Sequence, residues 1–178
     1  MTDTMLKDFL DSARAEFQRY KSLGSKSIDV LNEYELNADP NGANSVAVIV
    51  KHLHGNMRSR WTNVFTEDGE KPDRNRDGEF ESAQLSKAAV KELYEEGWSY
   101  LESAITGLSE SDFSRPVIIR KEPLTLIQAV ERQLTHYAYH VGQIVFIAKQ
   151  FKGNDWSSLS IPKGKSSEHT RGQYREQL

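Results

Sequence analysis

The chain contains no cysteine in its 178 residues. Disulfides, thiolate metal sites and cysteine nucleophiles are therefore excluded, and any thiol chemistry must use an external thiol. An excess of positive charge is lacking too. The formal net charge is -3, which argues against a protein whose main work is binding nucleic-acid backbones. No apolar run approaches the roughly 20 residues that span a bilayer. The opening "MTDTMLKDFL" carries acids and lacks the basic start and long apolar stretch of a signal peptide. We therefore expect a cytoplasmic protein that engages neither membrane nor nucleic acid. Hydrophobic residues make up 37% and charged residues 28%, the balance of an ordinary folded domain, and the length suits one domain rather than two.

Four long segments carry apolar residues at the three-and-four spacing of amphipathic helices. The first spans about Thr4 to Tyr34, with Gly24 as a point where it breaks or bends. The second follows the turn-rich "NADPNGANS", opens at an N-cap Ser45 and runs through Phe65, with Ile49, Leu53, Met57, Trp61 and Val64 as its stripe. The charged "TEDGEKPDRNRDGEFES" reads as a loop. A third helix is expected from about Phe80 to Thr106, with Leu85, Ala89, Leu93, Tyr100, Leu101 and Ile105 facing inward and Gly107 at its end. Residues 108–122 hold Pro116 and a brief "VIIR", which supports only an extended connector. Thr125 and Gln128 have the spacing of a capping box and open a fourth helix that runs to Phe151. Beyond Gly153 we expect Trp156, Leu159 and Ile161 to pack back on the body. The last ten residues, which include a solvated His169, are expected to be loose. The fold class is thus all-α, a four-helix bundle over residues 1–155 with long connecting loops and a C-terminal extension over 156–178.

The fourth helix carries "HYAYHVGQI". His136 and His140 are one turn apart on the same face, close enough to converge on one divalent ion. They flank the central stripe of Val130, Tyr137, Val141, Ile144 and Ala148, beside Ala129, Gln133 and Ile147. That is where ligands lining a cleft belong. A bare pair at this spacing is, however, more often two hydrogen-bonded, half-buried histidines. The second helix offers His52 and His54, which point roughly 200° apart and cannot share a site. Spacing does not choose between them.

"VKHLHGNMRSRW" together with "THYAYHVGQI" resembles the DinB-like superfamily of four-helix metalloproteins, which includes the YfiT-like proteins. The resemblance runs from about Leu6 to Phe151. It implies one histidine ligand in the second helix, which falls on His52 rather than His54, and a fourth-helix pair that falls on His136 and His140. It further implies a divalent metal ion, most often zinc or nickel, with positions open to water or a small-molecule substrate. Several such proteins are thiol-dependent transferases that use a low-molecular-weight thiol, and others are hydrolases or isomerases. The expected function is therefore a metal-dependent enzyme performing thiol-dependent transfer to a small electrophile or metal-water hydrolysis. The alternative is a non-catalytic metal- or small-ligand-binding bundle. A homodimer is also in keeping with the resemblance. "KHLHGNMRSRW", "EDGEKPDRNRDGEFE" and "SLSIPKGKS" resemble, more narrowly, a branch of that superfamily without a known function.

No residue is marked out as a general base. Asn56, one turn after His52, and Gln143, three residues after His140, are candidate contacts to the ligands or substrate, and equally ordinary polar positions. Arg58, Arg60, Arg74 and Arg76 can grip a small anion bidentately, but acids alternate with them, so loop-ordering ion pairs are the better reading. Arg60 lies near the apolar stripe and needs a partner if buried. Trp61, Met57 and Tyr137 read as packing residues, and Gly142 as a point of close helix approach.

Overall fold

The structure is a computed structural model that describes residues 3–39, 42–82 and 84–168. The expectations for His169 and the last ten residues lie outside the described residues. Among the described residues the main elements are five α-helices and one small hairpin, joined by loops and short 3-10 turns: α1 (Asp3–Val30), α2 (Glu33–Asn37), α3 (Val46–Trp61), α4 (Lys87–Thr106), β1 (Val117–Ile119), β2 (Glu122–Leu124) and α5 (Leu126–Lys152). The architecture is mostly helical, as expected. No described helix is long and apolar enough to cross a membrane.

The first expected helix is two helices. α1 runs straight through Gly24, which is buried against the Tyr94 ring. It stops instead at Val30, where Asn32 starts α2 with a capping box: Asn32 Oδ1 accepts from Glu35 N at 2.9 Å and Glu35 Oε2 accepts from Asn32 N at 2.8 Å. The fully buried Leu31 and Leu36 anchor the corner.

α3 begins at Ser45, whose hydroxyl accepts from Val48 N at 3.2 Å. It ends at Trp61 rather than Phe65, because Asn63 adopts a positive φ of 52° and turns the chain out of the helix. Buried residues occupy nearly its whole circumference, so α3 is the central helix. That burial includes a polar stripe at four-residue spacing, His52, Asn56 and Arg60.

α4 starts seven residues later than expected. Phe80 belongs to a short 3-10 turn, Asp77–Phe80, and Ser86 caps the helix. The buried face is also rotated: Val90, Tyr94, Gly97, Trp98, Leu101 and Ile105 face inward, whereas Leu85, Ala89, Leu93 and Tyr100 are only half-buried. At Gly97 an added Cβ would stand 3.0 Å from the His54 Cα, so this glycine lets α3 and α4 approach. Gly142, expected in that role, is exposed with nothing near its missing side chain.

The connector before α5 is an antiparallel hairpin with Ile119 opposite Glu122. Arg120 and Lys121 form its tip with φ of 56° and 66°, the conformation of a two-residue primed turn. Asp68 replaces the usual glycine or asparagine logic: its two oxygens accept from Arg120 N at 2.8 Å and Lys121 N at 2.7 Å. The hairpin is thereby docked on the loop after α3, and Gly69 N donates to Ile118 O at 2.7 Å.

α5 opens at the expected Thr125–Gln128 capping box and buries its expected stripe, with Tyr137 fully enclosed against Phe17 and Trp98. α3 packs chiefly along α4, and α1 chiefly along α5. Of the expected tail contacts, Trp156 packs on the core and Leu159 is half-buried, while Ile161 is exposed.

Candidate metal centre

The polar stripe of α3 faces the histidine flank of α5 across a cleft of about 570 Å³. His52, His136 and His140 each bring one ring nitrogen to within 4.8 Å of the others. His52 and His140 are buried and His136 is half-buried. His54 does not take part: it turns towards α4 and pairs with Glu96 at 3.0 Å.

The ring orientations follow from their far sides. A carboxylate only accepts, so His52 Nδ1 donates to Glu79 Oε2 at 2.8 Å, leaving the His52 Nε2 lone pair free. His140 Nδ1 meets Gln143 Oε1 at 2.9 Å, which fixes that ring in the same sense. His52 Nε2 lies 3.2 Å from His136 Nε2. Two nitrogens about 2.0–2.1 Å from one ion, subtending about 95–110°, stand about 3.0–3.4 Å apart. The spacing and donor set thus fit a metal ion on three neutral imidazoles. His136 Nδ1 is buried without a hydrogen-bond partner among the described residues.

Burial pushes the His136 imidazolium down to about 3, helped by the neighbouring His140 and His52. Burial and His52 push His140 to about 4, against a small opposing effect of Gln143. Both rings are therefore neutral at physiological pH, as a ligand must be. Glu79 behaves in the opposite sense. Burial raises its carboxyl, but hydrogen bonds from His52 and Arg74 and the Arg74 charge outweigh it and hold it below the usual carboxylate range.

Asn56, Arg60, Arg74, Arg76 and Gln143 line this cleft, whereas Arg58 does not. Asn56 Oδ1 accepts from Tyr137 OH at 3.1 Å, and that hydroxyl accepts from Trp61 Nε1 at 2.9 Å. Trp61 and Tyr137 thus pack the core and also hold Asn56. Arg60 is buried and its two terminal nitrogens find partners, Glu70 Oε2 at 2.9 Å and the Gly69 carbonyl, while its Nε has none among the described residues. Arg74 binds Glu79 through two nitrogens at 2.7 and 2.8 Å and reaches Glu70 at 3.3 Å. Arg58 pairs with Asp73 at 3.0 Å on the surface. For these three arginines the ion-pair reading holds. Arg76 differs: Asp77 stands 4.0 Å away, and its guanidinium lies over the Phe80 ring.

Several cleft residues escape sequence reasoning. Glu79 and Phe80 come from the loop after α3, and Phe80 covers His52 with centroids 4.6 Å apart. One glutamate in an acid-rich loop carries no signal of its own. Gly55 is its complement, since any Cβ there would collide with the Glu79 carboxyl. Arg120 arrives on the hairpin tip, and Tyr139 from α5. Arg132 was open to detection, because it stands one turn before His136 on the same helix face.

A family model described as "Protein of unknown function (DUF1572)" matches residues 4–165. No curated protein and no solved structure matches the chain.

Proposed function

The chain belongs to the DUF1572 family of proteins of unknown function, and from that premise we propose that it is a divalent-metal-dependent enzyme of the DinB-like type. Its four long helices form the bundle, and His52, His136 and His140 hold one zinc or nickel ion. The observation that carries this reading is the meeting of three histidines from two helices with two of them already oriented from behind. A hydrogen-bonded core does not require that convergence. A divalent ion on three neutral ligands keeps its charge, so it would activate a water or hold an external thiol as thiolate. Thiol-dependent transfer to a small electrophile ranks ahead of hydrolysis.

The chain's own residues supply the rest. Glu79 and Gln143 fix the ligand rings, and Phe80 shields His52 from solvent. Asn56, locked through its oxygen by Tyr137, borders the cleft beside the ligands.

Elemental analysis and calorimetric titration test the metal. One zinc or nickel ion per chain is expected, and it should be lost in His52→Ala and His136→Ala while His54→Ala keeps it. A chain that takes up no ion, and whose stability ignores chelators, would refute the reading. Metal-loaded protein that turns over no electrophile with any low-molecular-weight thiol, and no hydrolysable ester, would favour a binding module instead.

A further inference from the structure

The cleft over the histidines changes chemistry along α5. At one end stand Arg132 and, from the loop after α3, Arg76. At the other end an apolar groove of about 900 Å³ opens beside Ile49, Phe146, Ile147 and Phe151. Asn44, Tyr139 and Gln143 border both spaces, so the two adjoin. The histidines lie between the two ends.

The charged end is not neutralised. Glu70 is shared by Arg60, Arg74 and Arg120, and Glu79 by Arg74 and His52. Asp68, which accepts from the Arg120 amide and feels the Arg60 charge, is the third carboxylate for these three guanidiniums, so the unanswered charges are those of Arg132 and Arg76. The Arg132 guanidinium has no hydrogen bond or ion pair among the described residues. The nearest carboxylate to Arg76, on Asp77, is 4.0 Å away and wholly exposed. The apolar end is equally open among the described residues: Tyr139 and Phe146 expose 63% and 62% of their surface.

We propose that the cleft takes an amphipathic organic anion, its carboxylate or phosphate held by Arg132 and Arg76 and its apolar chain lying in the groove against Phe146. The middle of such a molecule crosses the histidines. Charge at one end, apolar surface at the other and ligating nitrogens between them select a single elongated ligand over two unrelated surfaces. The inference rests on the proposed metal site only for which bond reacts; the arginine and apolar ends bind without an ion.

Calorimetry with the full chain, zinc-loaded and metal-free, tests it against hexanoate, octanoate, dodecanoate, hexyl phosphate and 1-hexanol, because Arg132 and Phe146 stand about 21 Å apart along α5 and only the longer chains bridge them. Affinity should rise about two- to fourfold per methylene along the carboxylates. 1-Hexanol should bind at least about tenfold more weakly than hexanoate, and the comparison of hexanoate with hexyl phosphate tells which anion is preferred. Arg132→Gln should weaken octanoate by about five- to tenfold and reduce the salt dependence. Phe146→Ser should remove the gain from octanoate to dodecanoate, with melting temperatures of both variants confirming the fold.

Equal affinity for 1-hexanol and hexanoate would overturn the anion site, and affinity indifferent to chain length would overturn the apolar one. Octanoate binding that vanishes on metal removal and ignores Arg132→Gln would place the carboxylate on the ion instead. A Phe146→Ser chain that changes from dimer to monomer with unaltered dodecanoate affinity would assign the groove to a second copy. Failure to take up zinc, with the anion and chain-length dependences intact, sinks the metal reading alone.

Discussion

Glu79 is the residue on which the His52 ring depends. Its oxygens accept from His52 Nδ1 and from two nitrogens of Arg74, and Gly55 leaves the space it fills. Partners behind a ligating histidine commonly change metal affinity about 10–100-fold when removed. Glu79→Gln should therefore weaken zinc by about that factor, measured in competition with a chelating dye; unchanged affinity would show that His52 needs no support. A second residue-scale consequence is acid sensitivity. His136 and His140 titrate near 3 and 4 in the folded chain and near ~6.5 when unfolded. Between those values the unfolded chain binds more protons, so this stability is complete above ~6.5 and drains as pH falls. Glu79, whose folded carboxyl is depressed, adds a loss in the same direction at lower pH. Urea unfolding of the metal-free chain should lose on the order of 1 kcal/mol between pH 7.5 and 5, since solvent still reaches the ring edges. A flat profile would mean that the rings are protonated in the fold. At this scale the sequence was informative about the candidate ligands' shared face and silent about the groups behind them. His136 and His140 share a helix face by spacing alone, whereas Glu79 meets His52 from 27 positions further along the chain.

Among elements, α3 and α4 illustrate what periodicity can and cannot carry. Ser45 and the Thr125–Gln128 box mark helix starts through local chemistry, and local chemistry is legible. The start of α4 is not, because Phe80 and Leu85 continue an apolar rhythm into a segment that folds as a 3-10 turn and loop. The hairpin was equally hidden: an Arg120–Lys121 turn is allowed only because Asp68, far back in the chain, receives both amides. Choosing between His52 and His54 needed a resemblance, because two residues on opposite faces of a helix buried nearly all round are alike in pattern. Gly97 fixes how that helix meets α4. Its absent side chain would press on the His54 backbone, which cannot yield as a flexible side chain would. Gly97→Val should cost about 2–3 kcal/mol of stability although valine is the better helix former than glycine. A thermal melt unchanged or raised by this substitution would mean that the α3–α4 contact is looser than described.

In the whole molecule the helices form two closely packed pairs, α3 with α4 and α1 with α5, and the direct meeting of α3 with α5 is shorter. His52 belongs to one pair, and His136 and His140 to the other. An ion on the three would bind the pairs together across the short meeting of α3 with α5. That predicts a stabilisation of global rather than local kind. At free zinc a hundredfold above the dissociation constant, linkage gives about 2.7 kcal/mol, and amide exchange should slow in α3 and α5 together. A chelator should reverse both effects. His136→Ala and His52→Ala should abolish the stabilisation equally although they lie on opposite pairs, because a clamp fails when either jaw is removed. If one of the two variants keeps the zinc-dependent rise in melting temperature, the ion is held by one pair alone and the bridging role is refuted. The same comparison separates the histidines' two possible contributions to the fold: a clamp is lost with the metal, whereas ordinary packing of the three rings survives its removal.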